Sequence, residues 1–112
     1  MPNSNYRKGY KFEREIKLWL ERNDYLVFRT AGSHSIADLI AFSPMYWRIV
    51  YLIQCKYGTA RMNKAEIIKL SKIADRYNAV PVYCTKKPGK SVSFINLNTT
   101  TEIEFENREI RK

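Results

Sequence analysis

Cysteines and long apolar runs are scarce in this sequence, and their scarcity excludes several protein classes. Its two cysteines, Cys55 and Cys84, are fewer than a disulfide-stapled secreted domain usually carries, and they lack the spacing of metal ligands. We therefore expect both to be reduced thiols in or near the core. No apolar stretch is long enough to cross a bilayer, and the N-terminal MPNSNYRKGYK shows no signal-peptide pattern. We expect a soluble, intracellular protein that does not associate with a membrane.

Acidic residues are also few. The 112 residues include 20 Lys and Arg but 11 Asp and Glu, so the formal net charge is +9. Such an excess of basic charge predicts a polyanionic partner. Internal repeats, low-complexity segments and convincing linkers are absent as well, and the length suits one modest core rather than two. We predict a single domain over residues 1–112.

Hydrophobic periodicity predicts two helices and five strands. Apolar residues at helical spacing predict a helix over residues 8–22 and a second one after a capping box formed by Asn63 and Glu66. Short runs rich in β-branched and aromatic residues predict strands at residues 25–30, 37–42, 48–56, 79–84 and 92–97. The order αβββαββ indicates an α/β fold with a mixed five-stranded sheet flanked by helices. The tail, residues 98–112, is expected either to be partly disordered or to add one short element.

Four polar side chains stand where packing alone would not place them. Glu13 lies at the margin of the apolar face of the first helix, and Asp38 lies in a short apolar strand. Gln54 and Lys56 end the most hydrophobic strand, and they point to one side because side chains alternate along a strand. Taken singly, each has an ordinary explanation as a surface carboxylate, a turn cap or a strand leaving the core.

The combined chemistry of these four residues favours a different interpretation. Carboxylate and carbonyl oxygens are the ligands that Mg²⁺ prefers. A nearby ammonium can orient a water or offset the negative charge that develops in phosphoryl transfer. Basic charge around such a site would hold a phosphate backbone. Together these features describe a metal-dependent nuclease site.

The pattern of an acid on the first helix, an aspartate on one strand and a lysine at the end of the next is similar to the PD-(D/E)XK nuclease core, which has a restriction-endonuclease-like fold. More specifically, the chain resembles the archaeal-type Holliday junction resolvases over most of its length, up to about residue 97. The segments that carry the resemblance are Arg7-Lys8-Gly9, Glu13-Arg14-Glu15, Arg29-Thr30-Ala31-Gly32-Ser33, Ala37-Asp38-Leu39-Ile40-Ala41 and Gln54-Cys55-Lys56.

The resemblance implies a divalent-metal endonuclease that works as a homodimer, in which each protomer cuts one strand of four-way junction DNA. Glu13, Asp38 and Lys56 match the catalytic positions of the motif, and Gln54 stands where the family usually has glutamate. The implied metal ligands for Mg²⁺, with Mn²⁺ as a substitute, are Asp38, the Gln54 oxygen and Glu13. The residues expected to contact DNA are Arg14, Arg29 and Ser33 from the motif, with Arg7, Lys8, His34, Arg61 and Lys64 added for their positions and basic character.

Gln54 keeps alternative functions open. Its side-chain oxygen can ligate Mg²⁺, but a neutral dipole offsets less of the charge of the ion, so we expect weaker metal binding. One alternative is a PD-(D/E)XK nuclease with another DNA substrate, because a fold does not fix the substrate. The other is a catalytically impaired DNA-binding protein in which Gln54 records a lost metal site.

The second predicted helix carries more apolar positions than one packing stripe needs, for example Ile67, Ile68 and Leu70. A dimer seam formed by this helix would use the surplus, and a two-fold dimer would match a two-fold junction. For such a DNA-acting protein we expect a cytoplasmic or nucleoid-associated location.

Overall fold

The structure is a computed structural model that describes residues 4–30, 37–45 and 48–105, with side chains from residue 8 onward. The described residues form two helices and six strands. The helices are α1, Ser4–Arg22, and α2, Lys64–Arg76. The strands are β1, Leu26–Arg29; β2, Leu39–Phe42; β3, Val50–Tyr57; β4, Val80–Lys86; β5, Ser93–Asn96; and β6, Thr101–Glu102.

The six strands form one mixed sheet and lie side by side in chain order, from β1 to β6. Only β3 and β4 run parallel, and the other neighbours are antiparallel. A parallel pair needs a crossover connection, and α2 supplies it between β3 and β4. The predicted α/β class with a mixed sheet is therefore confirmed.

The predicted count of five strands is wrong, because the tail adds a sixth and the order becomes αβββαβββ. Thr101 and Glu102 pair with Asn96 and Ile95 of β5. Two exposed polar residues have no alternating apolar pattern, so this strand exists through backbone pairing that the sequence does not signal. The tail was expected either to be partly disordered or to add one short element, and residues 98–105 do add a short element, β6. Residues 106–112 lie outside the described residues.

The helices cover opposite faces of the sheet. Residues of α1 such as Phe12, Ile16 and Leu20 pack with the main buried cluster, which includes Val27, Leu39, Ile53 and Cys55 of the first three strands. On the other face, Leu70 of α2 packs with Met62 and Ala37 against Leu52 and Tyr83. Successive residues of β3 thus point alternately towards α1 and α2.

Two smaller predictions are confirmed. Cys55 and Cys84 are free and buried, and they lie opposite each other on β3 and β4. Asn63 and Glu66 form the predicted capping box at the start of α2. Neither described helix has the length and apolar content that a bilayer crossing requires.

Candidate active site

Asp38 lies at the entrance of β2 and is bound directly to β3. Its amide donates to the Ile53 carbonyl at 2.9 Å, and its Oδ2 accepts the Cys55 amide at 2.8 Å. The backbone ladder between β2 and β3 ends at the Leu39 and Ile53 pair. The carboxylate therefore takes the place of a backbone carbonyl just beyond the ladder.

Burial raises the pKa of Asp38 and is the largest influence on it. The Cys55 amide offsets part of this effect by hydrogen bonding to the ionised form, and the cations of Lys56 and Arg29 offset it further. The carboxylate of Glu66 acts in the opposite direction and raises the pKa of Asp38. The net direction is upward, so the ionised form of Asp38 is less stable in the protein than in water, and an added cation would stabilise it.

Glu13 approaches the same place from α1. Its Oε1 accepts a hydrogen bond from Arg29 Nε at 3.1 Å, and the Arg29 guanidinium lies 4.4 Å from the ring centroid of Tyr10. Burial raises the pKa of Glu13 most, the charge of Asp38 raises it further, and Arg29 lowers it. The two carboxylates are thus close enough to repel each other, and Arg29 of β1 lowers the pKa of both.

Gln54 and Lys56 are on the α2 face of β3, as the alternation predicted. Their neighbours Ile53 and Cys55 are buried on the α1 face. Gln54 is half-buried, and the Lys56 ammonium donates to Glu66 Oε2 at 3.2 Å. The candidate site therefore wraps around the end of the sheet, with Glu13 on one side, the Gln54 and Lys56 pair on the other, and Asp38 between them.

Cys55 is not a candidate nucleophile, although it lies in the middle of the Gln54-Cys55-Lys56 motif. A hydrogen bond with Cys84 and burial raise the pKa of its thiol well above the ordinary value. A buried thiol of this kind stays protonated and is inert. The contribution of Cys55 to the site is its backbone amide, which orients Asp38.

The donor chemistry of the site fits a hard divalent cation. Mg²⁺ typically binds through one or two carboxylates and keeps several waters or substrate oxygens. Asp38, Glu13 and the Gln54 amide oxygen are donors of that kind. Across residues 4–30, 37–45 and 48–105, no group of three or more His, Cys, Asp and Glu side chains is placed to hold a metal ion.

A groove of about 370 Å³ opens beside the site, and it is lined by Lys56, Cys55, the loop at 58–60, Pro88 and, from α1, Lys8 and Gly9. A Cβ added at Gly9 would meet no atom of the neighbouring elements within 4 Å, so the described packing leaves room for a small side chain at this position. Glycine inside a helix is unfavourable compared with alanine.

The larger apolar cavity, about 570 Å³ between α1 and β5, contains none of the four predicted catalytic residues.

The residues expected to contact DNA fall into three groups. Arg29 and Lys8 adjoin the site, as described above. Arg14, Arg61 and Lys64 are exposed on α1, on the loop before α2 and on α2 itself. The Arg7 side chain and all of Ser33 and His34 lie outside the described residues.

Two residues near the site were not predicted from the sequence. Glu66 accepts a hydrogen bond from Lys56. The ring of Tyr10 contacts Arg29, which in turn binds Glu13. The capping box identified Glu66 only as a helix-terminal residue. A second signal was its place at the first turn of the helix that directly follows the strand with Lys56. Tyr10 had no comparable signal, because its contact with Arg29 joins residues that are distant in sequence.

Asp38→Asn is expected to stabilise the metal-free protein at neutral pH, since the amide oxygen can still accept the Cys55 N–H while the buried charge is removed. Because the pKa of Asp38 is raised in the folded state, the unfolded chain deprotonates first, and wild-type stability falls as pH rises from about 3.9 through the folded pKa. The variant should therefore match the wild-type Tm at about pH 3.5 and exceed it by a few degrees at about pH 7.

This difference is measured by thermal denaturation in chelator. The matched control is Asp75→Asn at an exposed position on α2, which should change Tm little at either pH. A lower Tm for Asp38→Asn than for the wild type at neutral pH would contradict the proposed cost of the buried carboxylate.

Comparisons with known proteins identify the family of this chain. The chain matches the family model "Archaeal holliday junction resolvase (hjc)" over residues 4–111. It is 36% identical over 94 residues to the crossover junction endodeoxyribonuclease Hjc of Methanocaldococcus jannaschii, covering 81% of this chain and 67% of that protein. Its fold is similar to that of Archaeoglobus fulgidus Hjc, a Holliday junction resolvase, with a TM-score of 0.68 and 22% identity over 87% of this chain and 79% of that chain. The chain belongs to the archaeal Holliday junction resolvase family.

Proposed function

We propose that this protein is a divalent-metal-dependent endodeoxyribonuclease that resolves four-way DNA junctions by paired, symmetric phosphodiester cleavage. In this proposal residues 1–112 form a single nuclease domain that acts as a homodimer in the cytoplasm or at the nucleoid. Family membership supports the activity and the substrate. The net charge of +9 supports a nucleic-acid partner.

The single observation that carries the catalytic part of the proposal is the hydrogen bond from the Cys55 amide to Asp38 Oδ2. This bond holds a carboxylate at the end of β3, close enough to Lys56 for the ammonium to lower its pKa. Functional sites often contain a carboxylate whose pKa is raised by burial and partly lowered again by a neighbouring cation.

In the proposed mechanism, Asp38 and the Gln54 oxygen would hold the divalent ion directly and Glu13 would hold it through a water, with Mg²⁺ preferred and Mn²⁺ as a substitute. When bound, the ion supplies Lewis-acid stabilisation of negative charge on the scissile phosphate. Lys56 orients the attacking water or offsets the charge that develops on the phosphate. Arg29 holds Glu13 in place, and the Tyr10 ring limits the movement of the guanidinium.

The groove beside Lys56 supports a path for the DNA backbone. Lys8 and Lys56 line it, and both carry ammonium groups that suit phosphate oxygens. Gly9, which the packing does not require, leaves the wall of the groove open to a close backbone approach. In the proposal, the exposed Arg14, Arg61 and Lys64 contact DNA outside this groove, as do Arg7, Ser33 and His34.

An exposed apolar surface supports the homodimer. Leu26, Phe28, Ile40 and Phe42 lie on the α2 face of β1 and β2, opposite the buried Val27 and Ala41. Leu26 and Phe28 are 58% and 53% exposed, and the Phe28 and Phe42 rings lie 6.1 Å apart. Helix α2 packs on β3 and β4 rather than on these two strands, and its Ile68 is 45% exposed. The proposed seam thus includes α2 and extends over the neighbouring sheet face.

The activity is tested with a labelled synthetic four-way junction and a linear duplex of the same arm sequence, each with Mg²⁺, Mn²⁺ or chelator. We expect paired symmetric nicks in the junction only, and only with metal. Lys56→Ala should lower the cleavage rate by about a hundredfold or more, since it removes a group that stabilises developing charge. Cleavage of both substrates would contradict junction selectivity, and binding without any product would favour the DNA-binding alternative.

Gln54→Glu is expected to lower the Mg²⁺ concentration needed for half-maximal cleavage, by about tenfold, because a carboxylate replaces a neutral donor at the metal. A metal titration of the single-turnover cleavage rate measures this effect. Asn98→Asp adds the same charge at an exposed position after β5 and is the matched control, with an unchanged metal requirement expected. An unchanged requirement in Gln54→Glu would argue against Gln54 as a metal ligand.

Phe42→Asp is expected to weaken self-association by about tenfold or more, because it places desolvated like charges in a self-complementary interface. Sedimentation equilibrium measures the dimer dissociation constant. Leu18→Asp is the matched control, since Leu18 on α1 is also 39% exposed but lies on the other side of the sheet. A wild-type protein that is monomeric at micromolar concentration, or equal weakening by both variants, would contradict the proposed seam.

A further inference from the structure

Glu66 uses its two carboxylate oxygens for two different partners. Its Oε1 accepts the Asn63 amide at 2.9 Å, and its own amide donates to Asn63 Oδ1 at 2.8 Å. These reciprocal bonds form the capping box of α2 and hold the Glu66 side chain in one orientation. A capping box is complete with these two bonds, so the second oxygen, Oε2, is available for another role.

That second oxygen accepts the Lys56 ammonium at 3.2 Å, joining α2 to the end of β3. A lysine side chain has four rotatable bonds and does not by itself hold its ammonium in one place. Lys56 is 20% exposed and Glu66 is 37% exposed in their side chains, so the pair is partly screened by solvent. An ion pair of this kind contributes little to folding stability, which leaves orientation as its main effect.

We infer that Glu66 is a positioning residue for Lys56, holding the ammonium on the Gln54 side of β3 where the proposed reaction takes place. The inference rests on the proposed nuclease function. Glu66 is also close enough to Asp38 for its negative charge to raise the pKa of that carboxyl group. The helix cap thereby fixes a polar group of the site, and α2 determines where the cation of β3 lies.

The test compares Glu66→Gln with Asn63→Ala. Glu66→Gln keeps an oxygen that can accept the Asn63 amide but removes the charge that holds Lys56. We expect a Tm lowered less than in Asn63→Ala, because the partly exposed Glu66 charge contributes little at the first turn of α2. We also expect an unchanged junction dissociation constant in chelator and a single-turnover cleavage rate lowered about tenfold or more, since small displacements of catalytic groups have large effects on rate. Asn63→Ala removes the reciprocal cap but leaves both partners of the ion pair, so it should lower Tm while keeping the rate.

A direct measurement of Lys56 keeps the test independent of activity. In the wild type, NMR relaxation of the Lys56 side chain should show restricted motion at its terminal carbon and ammonium, and Glu66→Gln should increase that motion. An equal cleavage rate in Glu66→Gln and the wild type would overturn the inference, as would equal losses of binding, stability and rate. If the wild type does not cleave any junction, the proposed function fails, and unchanged Lys56 motion in Glu66→Gln would then separately overturn the positioning role.

Discussion

The hydrogen bond between the Cys55 amide and the Asp38 carboxylate is the interaction on which the site depends. It ends the pairing of β2 with β3, fixes the Asp38 carboxylate at the entrance of β2, and holds this carboxylate beside Lys56. The donor is the backbone amide of Cys55, whose buried thiol packs against Cys84 on the parallel neighbour β4. Core packing on one face of β3 thus keeps the strand in position while the other face carries Gln54 and Lys56.

The same bond places a charge where it is unfavourable. Desolvation raises the pKa of Asp38 and of Glu13, and the two acids also oppose each other. Arg29 and Lys56 compensate in part, and each is held by a contact of its own, Arg29 by Tyr10 and Lys56 by Glu66. The partly buried carboxylates reduce the stability of the folded protein at the place where a cation and a phosphate are proposed to bind. Functional sites commonly lower folding stability in this way.

The two helices contribute to the site in different ways. Helix α1 packs its apolar face on the sheet and brings Glu13 from that side, whereas α2 forms the crossover that the parallel β3 and β4 pair requires. Helix α2 is the next element after β3, across the connection at residues 58–63, and its cap lies beside Lys56. Covering β3 and β4 also leaves the same face of β1 and β2 exposed, with Phe28 and Phe42 in contact. One arrangement therefore accounts for the position of the candidate active site and for the apolar surface proposed as the dimer seam.

The sequence by itself determined the class of fold, the capping box of α2 and the shared face of Gln54 and Lys56, because periodicity and capping are local properties of the chain. It did not determine β6, whose two polar residues pair only because β5 offers a free edge. Nor could it assign site roles to Tyr10 and Glu66, since their contacts with Arg29 and Lys56 join separate elements. Tertiary structure alone decided those contacts and the exposed face of β1 and β2, because both depend on where each helix packs across the sheet.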